Sequence, residues 1–550
     1  MNSFDATTTA TQSSDRILII PAAGRGVRFK ELGKQYPKCL LPVEGKPILV
    51  HTLQRLMDAV DFAHVVVTAA DDKAAKQIDD ILHAYNLQDD VLVVSLGGSS
   101  PSPAYSLNAA LVGLARHEGT MPNYDVTVFL SDMIPTSTYG FSKMKPDAWG
   151  VVYKSKGDFA RWCMVEDDSM SSITEFYDKP SEQPPTTLAA CGVYRYSSSY
   201  ELVHAYQYAS EDLSSSNREM QFSDVAKHYM RRRDLRTAVF SEAELRDFGT
   251  LEEYLQNNGL ANKARSFNTV TLNAIERSVT KSSAEDVAKI NREAKWFKNL
   301  PTSLKRYAPE LYSREKDSYT LAQIRSNNLR DVALYVDRSY ETWKGIFESV
   351  REYWNHTIRA NGNDFVSAST FWHRMTAKTV ARTGDADPWV QWRRAEDWDF
   401  IREASVNAQE RLYYYHGDLH FANMFYCFNY DELKLIDPRG EQRGSIMYDM
   451  AKLAHSVFGR YDYIDANLYS IDQDGNPIYY DNGHEEIERA FKDVLMVRMG
   501  PRGTKMLYLL VAYLFFSMIP LHSDNEEHQR LFKLEGYRML ELADAIDIGS

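Results

Sequence analysis

The apolar positions of this chain fall into two regimes. Residues 16–23, 64–69, 91–96 and 125–131 are short runs rich in Val, Ile and Leu, of strand length. Continuous apolar runs of that length belong to strands covered on both faces. Between them, 46–59, 72–85 and 103–116 carry apolar residues at helical spacing. Strand and helix therefore alternate, which predicts an α/β unit of βαβ elements around a mixed, mainly parallel sheet. The apolar period is lost at 256–266, QNNGLANKARS, and the boundary is placed there. Beyond it, 267–281 reads as a hairpin and 318–324 as a strand. Val287, Ile290, Ala294 and Phe297 mark one face of a helix, 329–340 opens a helical region, and the remainder to 545 reads as helical. The expected domains are a disordered tail over 1–15, a first domain over 16–258, a linker over 259–266 and a second, α+β domain over 267–550.

The most apolar run, 506–521, is shorter than a bilayer span and holds Tyr508, Tyr513 and Ser517, so it reads as a core helix without membrane insertion. Residues 1–15 are polar and lack the charged and apolar regions of a signal peptide, which places the chain in the cytoplasm. With 63 basic against 76 acidic residues the net charge is −13, and the one basic cluster, Arg231–Arg233, is short. Nucleic acid is excluded as a partner on that balance. Cys39, Cys163, Cys191 and Cys427 lie far apart, with no C-x-x-C pair, and read as reduced thiols without structural zinc.

The first apolar run opens into Gly24-Arg25-Gly26-Val27-Arg28. A glycine loop after a buried strand lets backbone N–H groups approach phosphate, marking Ala23, Gly24 and Gly26 as nucleotide-binding, although G-x-G alone is an ordinary tight turn. Two further elements follow, Tyr36-Pro37-Lys38-Cys39-Leu40-Leu41-Pro42 and Gly45-Lys46-Pro47. Together they resemble the nucleotidylyltransferase superfamily, with its A-A-G-x-G-x-R, P-K-x-L and G-K-P elements. The resemblance implies a Rossmann-like domain in which Arg28 and Lys38 grip the nucleoside triphosphate and stabilise charge on the α-phosphorus as pyrophosphate leaves. Asp132, after the strand at 125–131, and Asp247, in Arg246-Asp247-Phe248-Gly249-Thr250, which resembles the family's D-I-G-T element, are the implied Mg²⁺ ligands. Glu175 to Pro180 resembles its E-K-P element and Ala190 to Tyr194 its substrate-side strand, so Lys179 and Gly192 are implied in substrate binding. The loop Gly97-Gly98-Ser99-Ser100 through Ser106 is faintly similar to the G-G-x-x-R-x-x-S element of cytidylyltransferases but lacks the arginine. It adds Gly98 to the nucleotide set and favours CTP.

In the second domain the informative stretch is 413–440, YYYHGDLHFANMFYCFNYDELKLIDPRG. His416-Gly417-Asp418, an asparagine five residues on at 423, and Asp437 behind an apolar strand have the order of a phosphoryl-transfer site. There an aspartate takes the proton of the attacking hydroxyl, while an asparagine and a second aspartate hold Mg²⁺. Glycine in the second place and Ile436-Asp437-Pro438 in place of D-F-G resemble the aminoglycoside phosphotransferase and choline kinase group. That resemblance implies a two-lobed, protein-kinase-like domain with Asp418 as base and Asn423 and Asp437 on Mg²⁺. Lys281 on a strand and Glu293 on the following helix supply the ion pair that orients ATP. No G-x-G-x-x-G precedes Lys281. Trp372, Trp389, Trp392 and Trp398 with Glu396, Asp397 and Asp399 read either as lobe packing or as a cage for a cationic acceptor. Asp449, in Tyr448 to Leu453, reads as structural.

The combined expectation is a bifunctional enzyme that phosphorylates a small sugar, polyol or amino alcohol with ATP and couples the product to a second nucleotide, CTP favoured, for surface-polysaccharide synthesis. A nucleotide-binding regulatory module in place of the kinase is the alternative. A protein kinase is disfavoured, because Ile436-Asp437-Pro438 stands where D-F-G would be and no A-P-E follows it.

Overall fold

A computed structural model gives the structure of the protein. It describes residues 15–548 except 25–36, 44, 121, 156, 158, 215–217, 251–252, 255–268, 274–275, 325, 327, 336–338, 361–367, 384–387, 408–409, 429 and 481–482. Gly26, Arg28 and the linker over 259–266 lie outside the described residues, as does the tail apart from Asp15. The chain divides into two compact units, Met1–Asn257 and Asn258–Ser550.

The first unit is built on β1 (Arg16–Pro21), buried along its whole length. It lies between and parallel to β2 (His64–Ala69) and β4 (Asp125–Phe129), and Ile19 faces both Val66 and Val128. β3 (Val91–Ser95) adds parallel to β2. These four strands therefore finish on one edge, returned by α1 (Ile48–Ala59), α2 (Asp72–Ala84) and α3 (Pro103–Glu118). α1 starts two residues later than its apolar pattern, because Lys46–Pro47 pairs with Pro42–Val43 as a short hairpin and Pro47 keeps an extended ψ of 144°. Past β4 the sheet turns antiparallel through β9 (Leu188–Tyr196), β7 (Cys163–Asp167) and β8 (Ile173–Asp178). Ile17, Ile19, Val126 and Val128 pack with Leu107 and Leu111 of α3 and with Trp149 and Tyr194 in one core. All four cysteines are free, and burial pushes the Cys39 and Cys191 thiols up to about 12, where they are inert.

The second unit opens with a four-stranded antiparallel sheet in the order β12 (Thr269–Asn273), β13 (Ser278–Ser282), β15 (Ser318–Ala322), β14 (Leu311–Arg314). Against it packs α6 (Val287–Asn299), with Ile290, Ala294 and Phe297 buried. A helical region follows, in which α13 (Pro501–Met518) packs on α11 (Ile446–Val457) and α14 (Glu526–Asp544). Residues Pro501–His522 are long and apolar enough to cross a membrane by composition, but 67% of that window is buried within the unit. The region read as continuously helical to 545 is interrupted by a hairpin, Tyr469–Ile471 with Pro477–Tyr479. Its turn is closed by Asp472, which accepts from Asp474 N and Asn476 N, and by Gly475 at φ +85°. Asp-x-x-Gly is a turn signal that local chemistry enforces against the surrounding helices.

Candidate active sites

Because β1 to β4 are parallel, the segments leaving their carboxyl ends share one rim of the first unit. Ala22 N donates to Thr68 Oγ1 at 3.1 Å, Gly98 N to Ala70 O at 2.6 Å and Ser100 N to Ala23 O at 3.0 Å. The glycine loop 97–98 is thereby folded against the start of the Gly24 loop. Lys38 begins a 3₁₀ turn anchored by the buried Cys39 and Leu40, and its ammonium hydrogen-bonds Asp132 and, at 3.2 Å, Gly249 O. β5 (Met133–Pro135) pairs antiparallel with β11 (Leu245–Asp247), setting Asp247 opposite Met133, and Phe248 N donates to Asp132 O at 2.8 Å. Asp132 and Asp247 are thus neighbours on the rim. Burial, then the charges of Asp132 and Glu253, push the Asp247 carboxyl up to about 6. Two carboxylates held against mutual repulsion beside a lysine are oxygen donors suited to Mg²⁺. Arg161 lies 3.9 Å from Asp247 Oδ2 and is also paired with Glu253.

Gly192 sits one strand over, at φ +80°, with its carbonyl accepting from Leu130 N at 3.0 Å. A Cβ there would meet Met133 Cε at 2.6 Å and Leu130 Cδ1 at 2.9 Å, ends of side chains that can shift, so the left-handed backbone is what calls for glycine. Lys179 is exposed at φ +46°, its backbone N–H bonded to Trp162 O at 2.9 Å. Among the described residues its side chain makes no hydrogen bond or ion pair with Lys38, Asp132 or Asp247.

In the second unit, Lys281 of β13 donates to Glu293 Oε2 at 2.9 Å and to Asp437 Oδ1 at 3.0 Å. Glu293 is fully buried and also accepts from Tyr319 OH at 2.8 Å, so it is no solvated helix residue. Burial alone would depress the Lys281 ammonium, but Asp437 and Glu293 outweigh it and raise its pKa. The hairpin of β16 (Met424–Cys427) and β17 (Glu432–Leu435) has Asn423 and Asp437 at its open end, with Ile436 N bonded to Asn423 O at 3.0 Å. Asn423 Nδ2 donates to Asp418 O at 2.9 Å, which leaves an amide oxygen and the Asp437 carboxylate as the oxygen donors a Mg²⁺ ion takes.

The loop before them is held from behind. Asp449 of α11 accepts from His416 N at 2.8 Å and Gly417 N at 2.6 Å, the structural part read from its motif. Burial lowers the His416 imidazole to about 4. Neutral, it donates from Nε2 to Ile436 O at 2.7 Å and accepts at Nδ1 from Asp418 N at 3.3 Å. Gly417 replaces the bulkier residue of H-R-D because a Cβ would fall 2.7 Å from Arg439 Cβ. Asp418 Oδ1 lies 2.8 Å from Lys452 Nζ. Burial would raise the Asp418 carboxyl, but Lys452 and His420 prevail and hold it well below the usual range. Trp372 is fully buried with Nε1 on Glu410, and Trp398 is buried against Tyr513, whose hydroxyl takes Asp397. Asp399 is paired with Arg402. Trp372, Trp398 and Asp397 are thus core packing and Asp399 is exposed; the side chains of Trp389 and Trp392 lie outside the described residues.

Residues 17–263 match the family described as Nucleotidyl transferase. The first unit is a nucleotidyltransferase domain. The bifunctional protein GlmU of Methanocaldococcus jannaschii is 24% identical over 218 residues, 39% of this chain and 46% of that protein. The 2-C-methyl-D-erythritol 4-phosphate cytidylyltransferase of Shewanella amazonensis is 45% identical over 64 residues, 11% of this chain and 26% of that protein. The chain therefore spans less than half the length of either relative. A solved UDP-glucose pyrophosphorylase complexed with UDP-glucose aligns over 46% of this chain and 99% of its own, at 18% identity and a TM-score of 0.38.

Within the nucleotidyltransferase domain, Lys38, Asp132 and Asp247 form one cluster, Ala23 and Gly98 share a hydrogen-bonded rim that Gly24 continues, and Gly192 supports the segment beneath. Arg161 stands in none of the family-like elements, so the sequence alone does not point to it. In the second unit Lys452 was the residue missed. It stands three positions after Asp449 on one helix face, a spacing that aims both at the same loop.

Proposed function

We propose that the chain is a bifunctional transferase. Its second unit, a two-lobed kinase-like domain, transfers a phosphoryl group from ATP to a small hydroxyl compound. Its first unit then joins that phosphate to an NTP, with release of pyrophosphate. The observation that carries the kinase half is the Lys281 ammonium bonded to both Glu293 and Asp437, the arrangement that positions ATP phosphates in such sites. Asp418 takes the proton as the acceptor hydroxyl attacks the γ-phosphorus and the bond to the bridging oxygen breaks, releasing ADP. Lys452 keeps that carboxylate ionised and aimed. In the first unit, Lys38 faces the triphosphate and Arg28 assists, while an oxygen of the new phosphate attacks the α-phosphorus. Lys179 and Gly192 serve the acceptor side, and Ala23, Gly24, Gly26 and Gly98 the nucleotide.

Asp132 with Asp247, and Asn423 with Asp437, would hold Mg²⁺, which neutralises charge developing on the transferred phosphates when bound. The local match to a cytidylyltransferase supports CTP as the second nucleotide. The product, a nucleotide-activated sugar, polyol or amino alcohol, would be made in the cytoplasm and feed surface-polysaccharide assembly. The test is a screen of ATP and Mg²⁺ with CTP, UTP, GTP or dTTP against small hydroxyl compounds, offered free and pre-phosphorylated. A nucleotide-linked product from a free acceptor supports both activities. Product from pre-phosphorylated acceptors alone leaves the nucleotidylyl transfer and makes the second unit a nucleotide-binding regulator.

A further inference from the structure

Helix α9 (Ser369–Thr383), STFWHRMTAKTVART, contains no carboxylate, and Arg374, Lys378 and Arg382 recur on it every four residues. On a helix that spacing stacks three cations on one face, where like charges cost a few tenths of a kcal/mol per pair. In a chain of net charge −13 such a stripe is not the general character of the surface.

The stripe borders the phosphoryl-transfer loop. Arg374 Nη2 is 2.9 Å from Glu441 Oε2, four residues past Asp437, and Arg439 Nη1 approaches Met375 Sδ at 3.6 Å. Arg439 also lies over the ring of Tyr448, 5.5 Å from its centroid, one helical turn before Lys452, which is bonded to Asp418. Lys378, exposed, follows Arg374 by one turn and Met375 by three residues on the same helix. Partial desolvation, then the charges of Arg439 and Arg382, lower its ammonium to about 8, with Glu441 opposing and Lys452 adding to the effect. Of the cations here, Lys452 is paired with Asp418 and Arg374 with Glu441, whose Oε1 is also 4.0 Å from Arg439 Nε. Asp397 and Asp399 on the neighbouring helix are occupied by Tyr513 and Arg402.

We propose that the hydroxyl compound phosphorylated in the second unit carries an oxyanion of its own, a carboxylate or a phosphate, bound by Lys378 and Arg439 beside Asp418. This rests on the kinase reading of that site. The anion relieves the repulsion along α9 and fixes the substrate, while the hydroxyl is left for Asp418 to deprotonate. The carboxylates at hand, Asp418 and Glu441, already pair with Lys452 and Arg374, which disfavours a quaternary or primary amine. The second unit's preference thereby passes to the nucleotidyltransferase domain, whose acceptor would bear the new phosphate and the original anion together.

The experiment measures ADP release and product mass for the full chain with ATP and Mg²⁺, offering D-gluconate, glycerol 3-phosphate, ribitol and choline. The expected result is phosphorylation of gluconate or of glycerol 3-phosphate, with kcat/KM about a hundredfold above ribitol and choline. Which of the two is used tells carboxylate from phosphate. Lys378→Gln should raise the KM for that anion about tenfold, with little change in the KM for ATP, and Lys378→Arg should recover most of the loss. Preference for ribitol or choline overturns the inference and leaves the kinase reading intact. A rise in the KM for ATP alone assigns Lys378 to the nucleotide and also overturns it. Absence of ADP release with every probe overturns the kinase reading and this inference with it.

Discussion

Lys452 Nζ lies 2.8 Å from Asp418 Oδ1, so the carboxylate proposed as base is held by a cation from a helix that follows the whole loop from His416 to Gly440. The pair depresses the Asp418 pKa against the opposing effect of burial. A depressed carboxylate adds stability above its unfolded pKa and loses that contribution as pH falls through the folded value. Lys452→Met should therefore raise the Asp418 pKa, move the acid limb of the phosphorylation pH–rate profile upward and lower kcat about a hundredfold. A profile unchanged in position would show that Lys452 acts elsewhere.

Asp247 carries the opposite sign. Its folded pKa is raised to about 6 from 3.8, so in the metal-free domain ionisation of Asp247 costs stability as pH rises through that window. Protons compete there with a divalent cation. At subsaturating Mg²⁺, nucleotidylyl transfer should fall below pH 6, and saturating Mg²⁺ should move the fall to lower pH. Asp132→Asn removes the second-largest cause of the shift, and an NMR titration of the carboxyl groups should then find Asp247 closer to its ordinary value.

Gly440, at φ +88°, packs where a Cβ would stand 2.5 Å from Arg292 Cβ and 3.0 Å from Glu293 N. Neither contact is the end of a flexible side chain. Gly440→Ala should destabilise the second unit by about 3 kcal/mol and push Glu293 away from Lys281. Thermal unfolding together with ATP affinity checks this: both should drop, whereas a loss of stability with unchanged ATP binding would separate the glycine from the ion pair.

Asp449→Ala leaves His416 N and Gly417 N buried without an acceptor. The cost should be about 2–5 kcal/mol in unfolding free energy, measured by denaturant titration. Loss below about 0.5 kcal/mol would mean that water or another group takes over those donors.

Part of this was legible in the sequence for a physical reason. Buried parallel strands leave continuous apolar runs, so β1 to β4 could be placed, and motif spacing singled out Lys38, Asp132 and Asp247, and Asp418, Asn423 and Asp437, as candidates that the fold brings together. Positions defined by long-range packing left no such trace. Arg161 meets Asp247 across distant elements, and the tryptophans of 371–400 read either as lobe packing or as a cage, a choice that burial decides for Trp372 and Trp398. The hairpin at 469–479 was missed because a short turn inside apolar helices yields little periodic signal, although Asp472 and Gly475 were there to read. The cationic stripe of α9 was visible too, yet its meaning depends on Arg439 and Glu441 lying beside it.

The measurement that bears most directly on two independent sites in one chain is a coupled assay. ATP, CTP, Mg²⁺ and an acceptor found by the screen are supplied to the wild type, to Asp418→Asn and to Lys38→Ala. The wild type should convert free acceptor to a nucleotide-linked product. Asp418→Asn should do so only from pre-phosphorylated acceptor, and Lys38→Ala should accumulate the phosphorylated acceptor without coupling it. If the wild type used pre-phosphorylated acceptor alone, or if either substitution stopped both reactions in a folded protein, two independent catalytic sites would be contradicted.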